Sequence, residues 1–509
     1  MNIYYIYMLN KTLVFLALCI SCAFSAVNFP YPQEANYGNG TINTKAANAS
    51  ANLKSKFTSF MGSHYEEGTC KSSPCARIKF DNTAQTVSEG IAYGMIMMVY
   101  FSDNTTSYQS HFDKLWVYYN NFTNDNGIMG WSVNGFSSLN DQGAATDAEF
   151  DAAFALIMAY YQFGGQKYLD DALGLIVKIR THEMETDGLH KPGDKWFQSA
   201  ENNRNPSYIS PAAFELFKDL DDEAFWNMAI TRNYTLLKNN QHSTTGLPSG
   251  WSNGAGTPQR DGTFDYDASR APWRWAWTNA WFGHLSNHAD IRTLLSKLAA
   301  WVNNQTPSNV GGPIQTNGTM GGHKNSTFVG PLTNALSYSS DYQTKKDAFW
   351  STLIGINDDS YFNKAMQLIT GLFSSGNMPN LKALSEVPSS SSVVPSSSSL
   401  ASSSSSSQRS SSSLASSSSS LVSSSSGGTP VLLSQLVFSN SLSAMQSSVN
   451  LQVTSNAAIR IFDLKGNAIR TQSFAQGSYI VQMADLPKGL YFVKATSGSW
   501  KSTIAVPVK

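Results

Sequence analysis

The chain has little charge and no excess of either sign. Of its 509 residues, 35 are lysine or arginine and 35 are aspartate or glutamate, so the formal net charge is zero and only 14% of residues are charged. Proteins that bind nucleic acid normally carry a basic excess or stripe, so this balance argues against a nucleic-acid partner. No apolar run after the N-terminal segment is long enough to span a bilayer, and we therefore expect no integral membrane protein.

Cysteine is scarce, and two of the four cysteines lie near the N-terminus. In that segment Lys11 precedes the apolar run 13–20 and the small residues that end at Ser25. This order is typical of a secretory signal peptide, so we expect residues 1–25 to be one and to be removed after Ser25. An uncleaved anchor and a lipoprotein modified at Cys22 are the alternatives.

The other two cysteines, Cys70 and Cys75, are five positions apart around Ser73 and Pro74. In an oxidising compartment such a pair can form a small local disulfide, and two free thiols are the alternative. No neighbouring His or Cys completes a metal ligand set, so we expect no metal site. Nothing in the sequence requires an organic cofactor.

Composition divides the remaining chain into three regions. Residues 26–384 hold most of the aromatic side chains, and a chain with 12 Trp, 22 Tyr and low charge suits a large neutral ligand. Residues 385–428 form a flexible serine-rich linker, since 27 of the 38 residues in 389–426 are serine and cannot bury enough apolar surface to offset their ordering entropy. Residues 429–509 show short alternating patterns at 458–462, 479–483 and 490–494, which predict a small all-β sandwich.

Apolar periodicity predicts that residues 26–384 are all-α, because strand patterns there are sparse. Eleven amphipathic or buried helices are predicted, close to the twelve of a double ring of helices. Their predicted ranges are 88–101, 111–122, 146–163, 166–181, 210–218, 223–238, 268–285, 291–302, 330–338, 342–355 and 361–373.

The start of the predicted helix 88–101 is the first candidate functional segment. Ser88 can cap this helix and Glu89 then lies in its first turn, where an ordinary acidic residue would favour the helix dipole. Gly90 and Gly94 are costly in an otherwise apolar helix. They are explained if another backbone or a bulky substrate approaches closely.

The predicted helix 146–163 opens with three acids, Asp147, Glu149 and Asp151, before an apolar remainder. Asp147 or Thr146 could be only a helix cap and Asp151 only a buried hydrogen-bond acceptor. Acids this close to a buried face are expensive, which favours a functional site.

The third segment lies at 264–275. Asp267 and Arg270 are three positions apart at a helix start, so they could pair on one face. A surface ion pair is the simple interpretation, but the neighbouring Tyr266, Trp273 and Trp275 favour an aromatic cleft.

Together these segments resemble glycoside hydrolase family 8. The matching motifs are Ser-Glu-Gly-x-x-Tyr-Gly-Met at 88–95, Ala-Thr-Asp-Ala-Glu-Phe-Asp at 145–151, Asn-Pro-Ser-Tyr-x-x-Pro at 205–211 and Tyr-Asp-Ala-Ser-Arg-Ala-Pro-Trp-Arg at 266–274. The resemblance covers roughly residues 30–375. It implies an (α/α)6 barrel and inverting hydrolysis of β-1,4-linked polysaccharides.

The resemblance also implies roles. Glu89 would be the general acid and Asp267 the general base, with Asp265 as a second choice of base. Asp147 would hold the sugar before the scissile bond, while Tyr266 and Arg270 would orient the base and its water. Candidate stacking platforms for sugar rings are Trp131, Trp196, Tyr208, Trp273 and Tyr361. Glu149 departs from the family's usual Asp and puts ordinary activity in doubt.

The substrate expected from this resemblance is cellulose or mixed-linkage β-glucan, cleaved by a secreted inverting endo-β-1,4-glucanase. The Pro-Trp-Arg continuation after Arg270 is similar to the glucanase branch, and balanced charge disfavours a chitosanase. An endo-β-1,4-xylanase and a non-catalytic glycan-binding surface protein are the alternatives. We expect a monomer.

The C-terminal region resembles the sorting domain of the bacterial type IX secretion system. The similarity lies in Ile-Phe-Asp-Leu-Lys-Gly at 461–466 and Leu-Pro-Lys-Gly-Leu-Tyr-Phe-Val at 486–493. It implies type IX-like machinery as a partner and a protein that is secreted or attached to the bacterial cell surface. A carbohydrate-binding module is the rival interpretation, but it would need a planar row of exposed aromatic residues.

Overall fold

The computed structural model describes residues 27–196, 203–259, 262–386 and most of 441–508, with gaps at 446–447, 454–455, 463–467, 476, 484 and 498–499. The predicted signal peptide and nearly all of the predicted linker lie outside these residues. The chain divides between Pro395 and Ser396 into two compact units. Across the described residues no helix combines the length and the apolar character that crossing a membrane requires.

The first unit is rich in helices. Its described residues form thirteen α-helices: α1 (Ala49–His64), α2 (Ser88–Phe101), α3 (Gln109–Asn121), α4 (Thr146–Phe163), α5 (Lys167–His182), α6 (Pro211–Phe217), α7 (Glu223–Asn240), α8 (Arg270–Phe282), α9 (Ala289–Asn303), α10 (Ser326–Ala335), α11 (Gln343–Gly355), α12 (Tyr361–Ser374) and the short α13 (Leu381–Glu386).

The helices are arranged in two layers. Each even-numbered helix from α2 to α12 packs against the next, and α12 closes the ring against α2. Odd-numbered helices up to α11 pack outside this ring, as α3 does on α2 and α1 on α12. In α2 every residue except Glu89 is buried, whereas the outer α3 buries only one face, as expected for an inner and a surface helix. The arrangement is consistent with the predicted (α/α)6 barrel.

Predicted and observed helices agree best in the inner layer, where α2 and α4 have the predicted ends. The sequence prediction missed α1, although Leu53, Phe57 and Phe60 give it an apolar face. This helix begins after Asn48, which is left-handed with a φ of 57° and makes no capping hydrogen bond. The usual signal of a helix start is therefore absent.

The first unit is predominantly helical, as predicted from its sparse strand patterns, and the strands that it does contain are short antiparallel ones in its loops. They are β1 (Tyr65–Cys70), β2 (Ser73–Ile78), β3 (Gln85–Val87), β4 (Ser132–Asn134), β5 (Ser138–Leu139), β6 (Thr263–Phe264) and β7 (Ile314–Gln315). They pair as β1–β2, β3–β4–β5 and β6–β7. Most are too short to give an alternating pattern. A disulfide between Cys70 and Cys75 lies within the β1–β2 hairpin.

The second unit consists of strands in its described residues. They are β8 (Ser441–Met445), β9 (Ser448–Val453), β10 (Ala457–Phe462), β11 (Ala468–Phe474), β12 (Gly477–Gln482), β13 (Gly489–Ser497) and β14 (Trp500–Val508). One sheet has the order β11-β10-β13-β14 and the other β12-β9-β8. Both contribute to one apolar core, in which Ile459 and Val493 come from the first sheet and Leu451 and Val481 from the second. This agrees with the predicted sandwich.

Candidate active site

A cleft of about 580 Å³ opens where several inner helices begin. Glu89 and Asp147 are the second residues of α2 and α4, and Arg270 is the first residue of α8. The positive ends of the two helix dipoles therefore favour negative charge at these carboxylates. The lining residues are Phe80, Asp81, Val87, Ser88, Glu89, Trp131, Ala145, Asp147, Tyr208, Tyr266, Asp267, Arg270, Ser360, Phe362 and Asn363.

Arg270 connects three acidic side chains, those of Glu89, Asp147 and Asp267. Its Nη1 donates to Glu89 Oε2 and lies 3.3 Å from Asp147 Oδ2. Its Nη2 lies 3.8 Å from Asp267 Oδ1. The guanidinium is also 5.1 Å from the ring centre of Tyr208. One arginine therefore stands between Glu89 and Asp267 and contacts both.

Glu89 is suited to carry a proton. Its side chain is only 15% exposed, and Tyr361 Oη donates to Glu89 Oε1 at 3.1 Å. Burial raises the pKa of Glu89, while the charge of Arg270 and the hydrogen bond from Tyr361 oppose that shift. The raised pKa keeps this carboxyl protonated to higher pH than an exposed glutamate.

Asp147 lies beside Glu89 and is more deeply buried, at 2% exposure. Burial raises its pKa to about 7, with Arg270 opposing the shift and Glu89 adding to it. Its Oδ2 faces Arg270 and its Oδ1 has no hydrogen-bond partner among the described residues. An unpaired buried oxygen at a cleft wall can accept a hydrogen bond from a bound hydroxyl group.

Asp267 differs from both, because its side chain is 40% exposed. It precedes α8 in a turn rather than lying within a helix. Trp251 Nε1 donates to its Oδ2 at 2.6 Å. A protonated buried acid and an exposed carboxylate on either side of an arginine can act together as general acid and general base.

The neighbours of Asp267 have different surroundings. Tyr266 is 38% exposed, lines the cleft and accepts a hydrogen bond from Asn325 at its Oη. Asp265 does not line the cleft, and its Oδ1 accepts from the backbone N–H of Ala268 at 3.0 Å. The structure thus gives Asp265 a role in fixing the turn, not in binding substrate.

The candidate platforms fall into two groups. Trp131 and Tyr208 line the cleft together with Tyr266, while Trp196 packs edge to face on Trp131 with ring centres 6.2 Å apart. Trp273 is wholly buried and stacks on Trp277 inside the ring of helices, so the expectation that it stacks on substrate is wrong.

Tyr361 is also corrected as a platform. It is wholly buried beside Glu89, and its ring lies under Gly90, where a Cβ atom would approach Tyr361 Oη to 3.1 Å. It therefore reaches the site through its hydroxyl group and not through its ring face. The close approach also gives a physical reason for glycine at position 90.

Two further acids of α4 lie beneath the cleft. Asp151 accepts two hydrogen bonds from Arg274, at 2.6 and 2.7 Å, and both side chains are buried. Asp151 is therefore the buried acceptor that the sequence allowed. Glu149 is wholly buried, accepts from Tyr119 Oη at 3.0 Å and does not line the cleft. The residue that departs from the family pattern, Glu149, thus lies behind the cleft wall.

Sequence reasoning missed several residues of the site. Trp251 contacts Asp267 from the loop before β6, and Phe80, Phe362 and Asn363 line the cleft. Phe362 adjoins the predicted Tyr361, but the loop of Trp251 has no periodicity that would place it. Among the described residues, no three His, Cys, Asp or Glu side chains are grouped as metal ligands.

Both units are similar to known protein families. The family model described as glycosyl hydrolases family 8 matches residues 30–376, and the model of a secretion system C-terminal sorting domain matches residues 445–509. The chain is 30% identical over 383 residues to Endoglucanase 2 of Ruminiclostridium josui, covering 72% of this chain and 80% of that protein.

Two further proteins are similar to the first unit. The chain is 26% identical over 326 residues to a reducing end xylose-releasing exo-oligoxylanase of Halalkalibacterium halodurans, covering 57% of this chain and 79% of that protein. The apo structure of a beta-1,3-1,4-glucanase from Paenibacillus sp. X4 superimposes with a TM-score of 0.64 at 25% identity, covering 70% of this chain and all of that one.

Proposed function

Because the chain belongs to glycosyl hydrolase family 8, and is therefore a glycoside hydrolase, we propose that it is an inverting endo-β-1,4-glucanase acting on cellulose or mixed-linkage β-glucan. We also infer that its helices form an (α/α)6 barrel. The observation that carries the mechanism is the position of Arg270 between a buried Glu89 with a raised pKa and an exposed Asp267.

In this proposal Glu89 donates its proton to the glycosidic oxygen as the bond to the anomeric carbon breaks. Asp267 takes a proton from a water that attacks the same carbon from the opposite face. An inverting pair needs roughly 6.5–9.5 Å between its carboxyl groups so that this water fits. The guanidinium that lies between Glu89 and Asp267 supports such a separation.

The other cleft residues would bind and orient the sugar. Asp147 is positioned to accept a hydrogen bond from a sugar hydroxyl at its unpartnered Oδ1. Arg270 and Tyr266 would orient the base and the water, and Trp131 and Tyr208 would contact ring faces.

The substrate proposal follows the named relatives. Endoglucanase 2 and the beta-1,3-1,4-glucanase favour a glucan. Xylan is the second candidate because of the similarity to the exo-oligoxylanase. A non-catalytic glycan-binding protein is disfavoured, because Glu149 lies behind the cleft while the acid and base positions line it.

The C-terminal sorting domain indicates export, so the protein is secreted or attached to the bacterial cell surface. We propose that type IX-like machinery recognises this domain, and that the predicted boundaries of the catalytic domain (26–384), linker (385–428) and sorting domain (429–509) describe the chain. We expect the catalytic unit to act as a monomer.

Reducing-end release from carboxymethylcellulose, mixed-linkage β-glucan, xylan and chitosan tests the activity class. We expect release from the glucans, reduced on the order of 10²- to 10⁴-fold in Glu89→Gln and Asp267→Asn. Asp290→Asn is the matched control, since its partner is the surface residue Lys238. Release from xylan alone would retain the mechanism and replace the substrate. Binding without release from any polymer would overturn the proposal.

A further inference from the structure

The general base proposed above lies in the turn before α8, where Trp251 contacts it directly. Asp267 is the most exposed of the three cleft acids that contact Arg270. Its distance of 3.8 Å from Arg270 Nη2 is too long for a hydrogen bond. By contrast, the 2.6 Å contact with Trp251 Nε1 is short and direct.

Hydrogen bonds fix the backbone of Trp251 and of the residue after it. Gln259 N–H and Ser249 Oγ donate to the carbonyl oxygen of Trp251 at 2.8 and 3.0 Å. The next residue, Ser252, exchanges two backbone hydrogen bonds with Arg204, at 2.6 and 2.9 Å. Because the loop is fixed in this way, the indole N–H of Trp251 is directed at Asp267.

The residue before Trp251 connects the same loop to the turn that carries Asp267. A Cβ atom on Gly250 would lie 2.3 Å from Asp265 Oδ1, so position 250 leaves space only for the carboxylate. Asp265 Oδ1 accepts from Ala268 N–H across the turn. Gly250 N–H also donates to the carbonyl of Thr263 at 3.0 Å.

From these contacts we propose that Trp251 is a positioning residue for the general base, and that the packing of Asp265 on Gly250 fixes the turn beneath it. The proposal rests on the proposed function of Asp267. An indole N–H donates and cannot accept, so it binds the carboxylate form that can take a proton. It engages Oδ2, while Oδ1 lies 3.8 Å from Arg270 Nη2.

This role differs from that of a sugar platform. Trp251 is not among the residues that line the cleft. A platform binds the ground state and the transition state alike, so its loss raises KM. Loss of an orienting hydrogen bond to the base lowers kcat and leaves KM unchanged.

Trp251→Phe in the full-length enzyme tests the proposal, because it removes the donor and keeps an aromatic ring. We expect kcat on soluble β-glucan to fall by about 10- to 100-fold with KM unchanged. Trp116→Phe is the matched control, since Trp116 Nε1 donates to Asp171 at 2.8 Å and neither residue lines the cleft. It should lose a similar hydrogen bond without loss of kcat.

Two results would overturn the proposal: an unchanged kcat in Trp251→Phe, whether or not KM rises, or an equal loss of kcat in Trp116→Phe. Asp267→Asn is measured beside them. If that variant is fully active, the assignment of the base fails. If it is inactive while Trp251→Phe is normal, only the positioning role fails.

A second substitution tests the turn without touching an aromatic residue. Gly250→Ala should displace the Asp265 carboxylate and lower kcat at constant KM. Gly355→Ala is the control, because nothing lies within 4 Å of a Cβ atom there. An unchanged kcat in Gly250→Ala would contradict the proposed role of the Gly250–Asp265 contact.

Discussion

Two Asp–Arg pairs connect the same two inner helices, α4 and α8, one helical turn apart. In the lower pair Asp151 receives two short hydrogen bonds from Arg274, and both groups are wholly buried. In the upper pair Asp147 lies 3.3 Å from an Arg270 that also contacts Glu89 and Asp267. The side-chain types and the spacing of four residues are the same in both pairs, yet only the upper pair faces the cleft.

The difference lies in how each arginine is shared. The lower pair is matched one to one, so each charge is compensated and each carboxylate oxygen is occupied. The upper arginine serves three carboxylates and leaves an Asp147 oxygen unpartnered. Burial raises the pKa of both Glu89 and Asp147, and the charge of Arg270 opposes that shift without cancelling it. We infer that the closed pair stabilises the fold, and that the shared pair is available for chemistry.

The largest expected effect is that of Arg270→Met on activity. We expect kcat/KM to fall on the order of 10²- to 10³-fold, because the group that orients acid, base and water is lost. Stability should change less, since burial favours the protonated form of Glu89 and Asp147 and both can become neutral. Steady-state kinetics and thermal unfolding check this. An active Arg270→Met variant, or one that fails to fold, would contradict the distinction drawn between the upper and the lower pair.

Arg274→Met should have the opposite profile. Removing one partner of a buried ion pair leaves Asp151 uncompensated, so we expect the free energy of unfolding to fall by about 3–5 kcal/mol. The folded fraction should keep its kcat. Combining it with Asp151→Leu should recover most of the stability in urea titrations. A loss of kcat in the folded fraction would place the lower pair in the mechanism.

The pH profile sharpens the comparison through Tyr361. Its hydrogen bond favours the ionised form of Glu89 and opposes the effect of burial. In Tyr361→Phe the pKa of Glu89 should therefore rise, so the protonated acid persists to higher pH and the basic limb of kcat moves upward. Tyr100→Phe, which removes a hydrogen bond to the carbonyl of Pro379, is the control. A downward movement of the limb would contradict this assignment of the acid.

The smallest expected effect is that of Glu149→Gln. Burial and the nearby Glu183 raise the pKa of Glu149 well above its usual range, which favours the neutral form of this side chain. Glutamine has the same shape and is also neutral, so we expect stability to change by less than about 1 kcal/mol and kcat to be unchanged. A large loss of kcat would connect Glu149 to the cleft and reopen the doubt raised by its departure from the family pattern.

The sequence predicted most where local signals and tertiary structure agree. The ends of α2 and α4 were predicted because long apolar runs begin at polar or acidic residues, although neither helix start has a side-chain capping hydrogen bond, and Gly164 with a φ of 74° follows α4. The motif matches also predicted that Glu89, Asp147 and Arg270 belong to one site.

Other features depend on tertiary packing that no local pattern encodes. Trp273 could not be distinguished from a platform, because burial inside the ring of helices is set by α8 as a whole. Trp251 meets Asp267 only because a loop bridged to Arg204 folds back over the turn.

The stereochemistry of hydrolysis tests the central claim most directly. Proton NMR of soluble β-glucan incubated with the full-length enzyme distinguishes the anomers released before mutarotation. If Glu89 and Asp267 act as acid and base around Arg270, the first reducing ends are α-anomers. Initial release of β-anomers would mean that a carboxylate attacks the sugar directly, and would contradict the account.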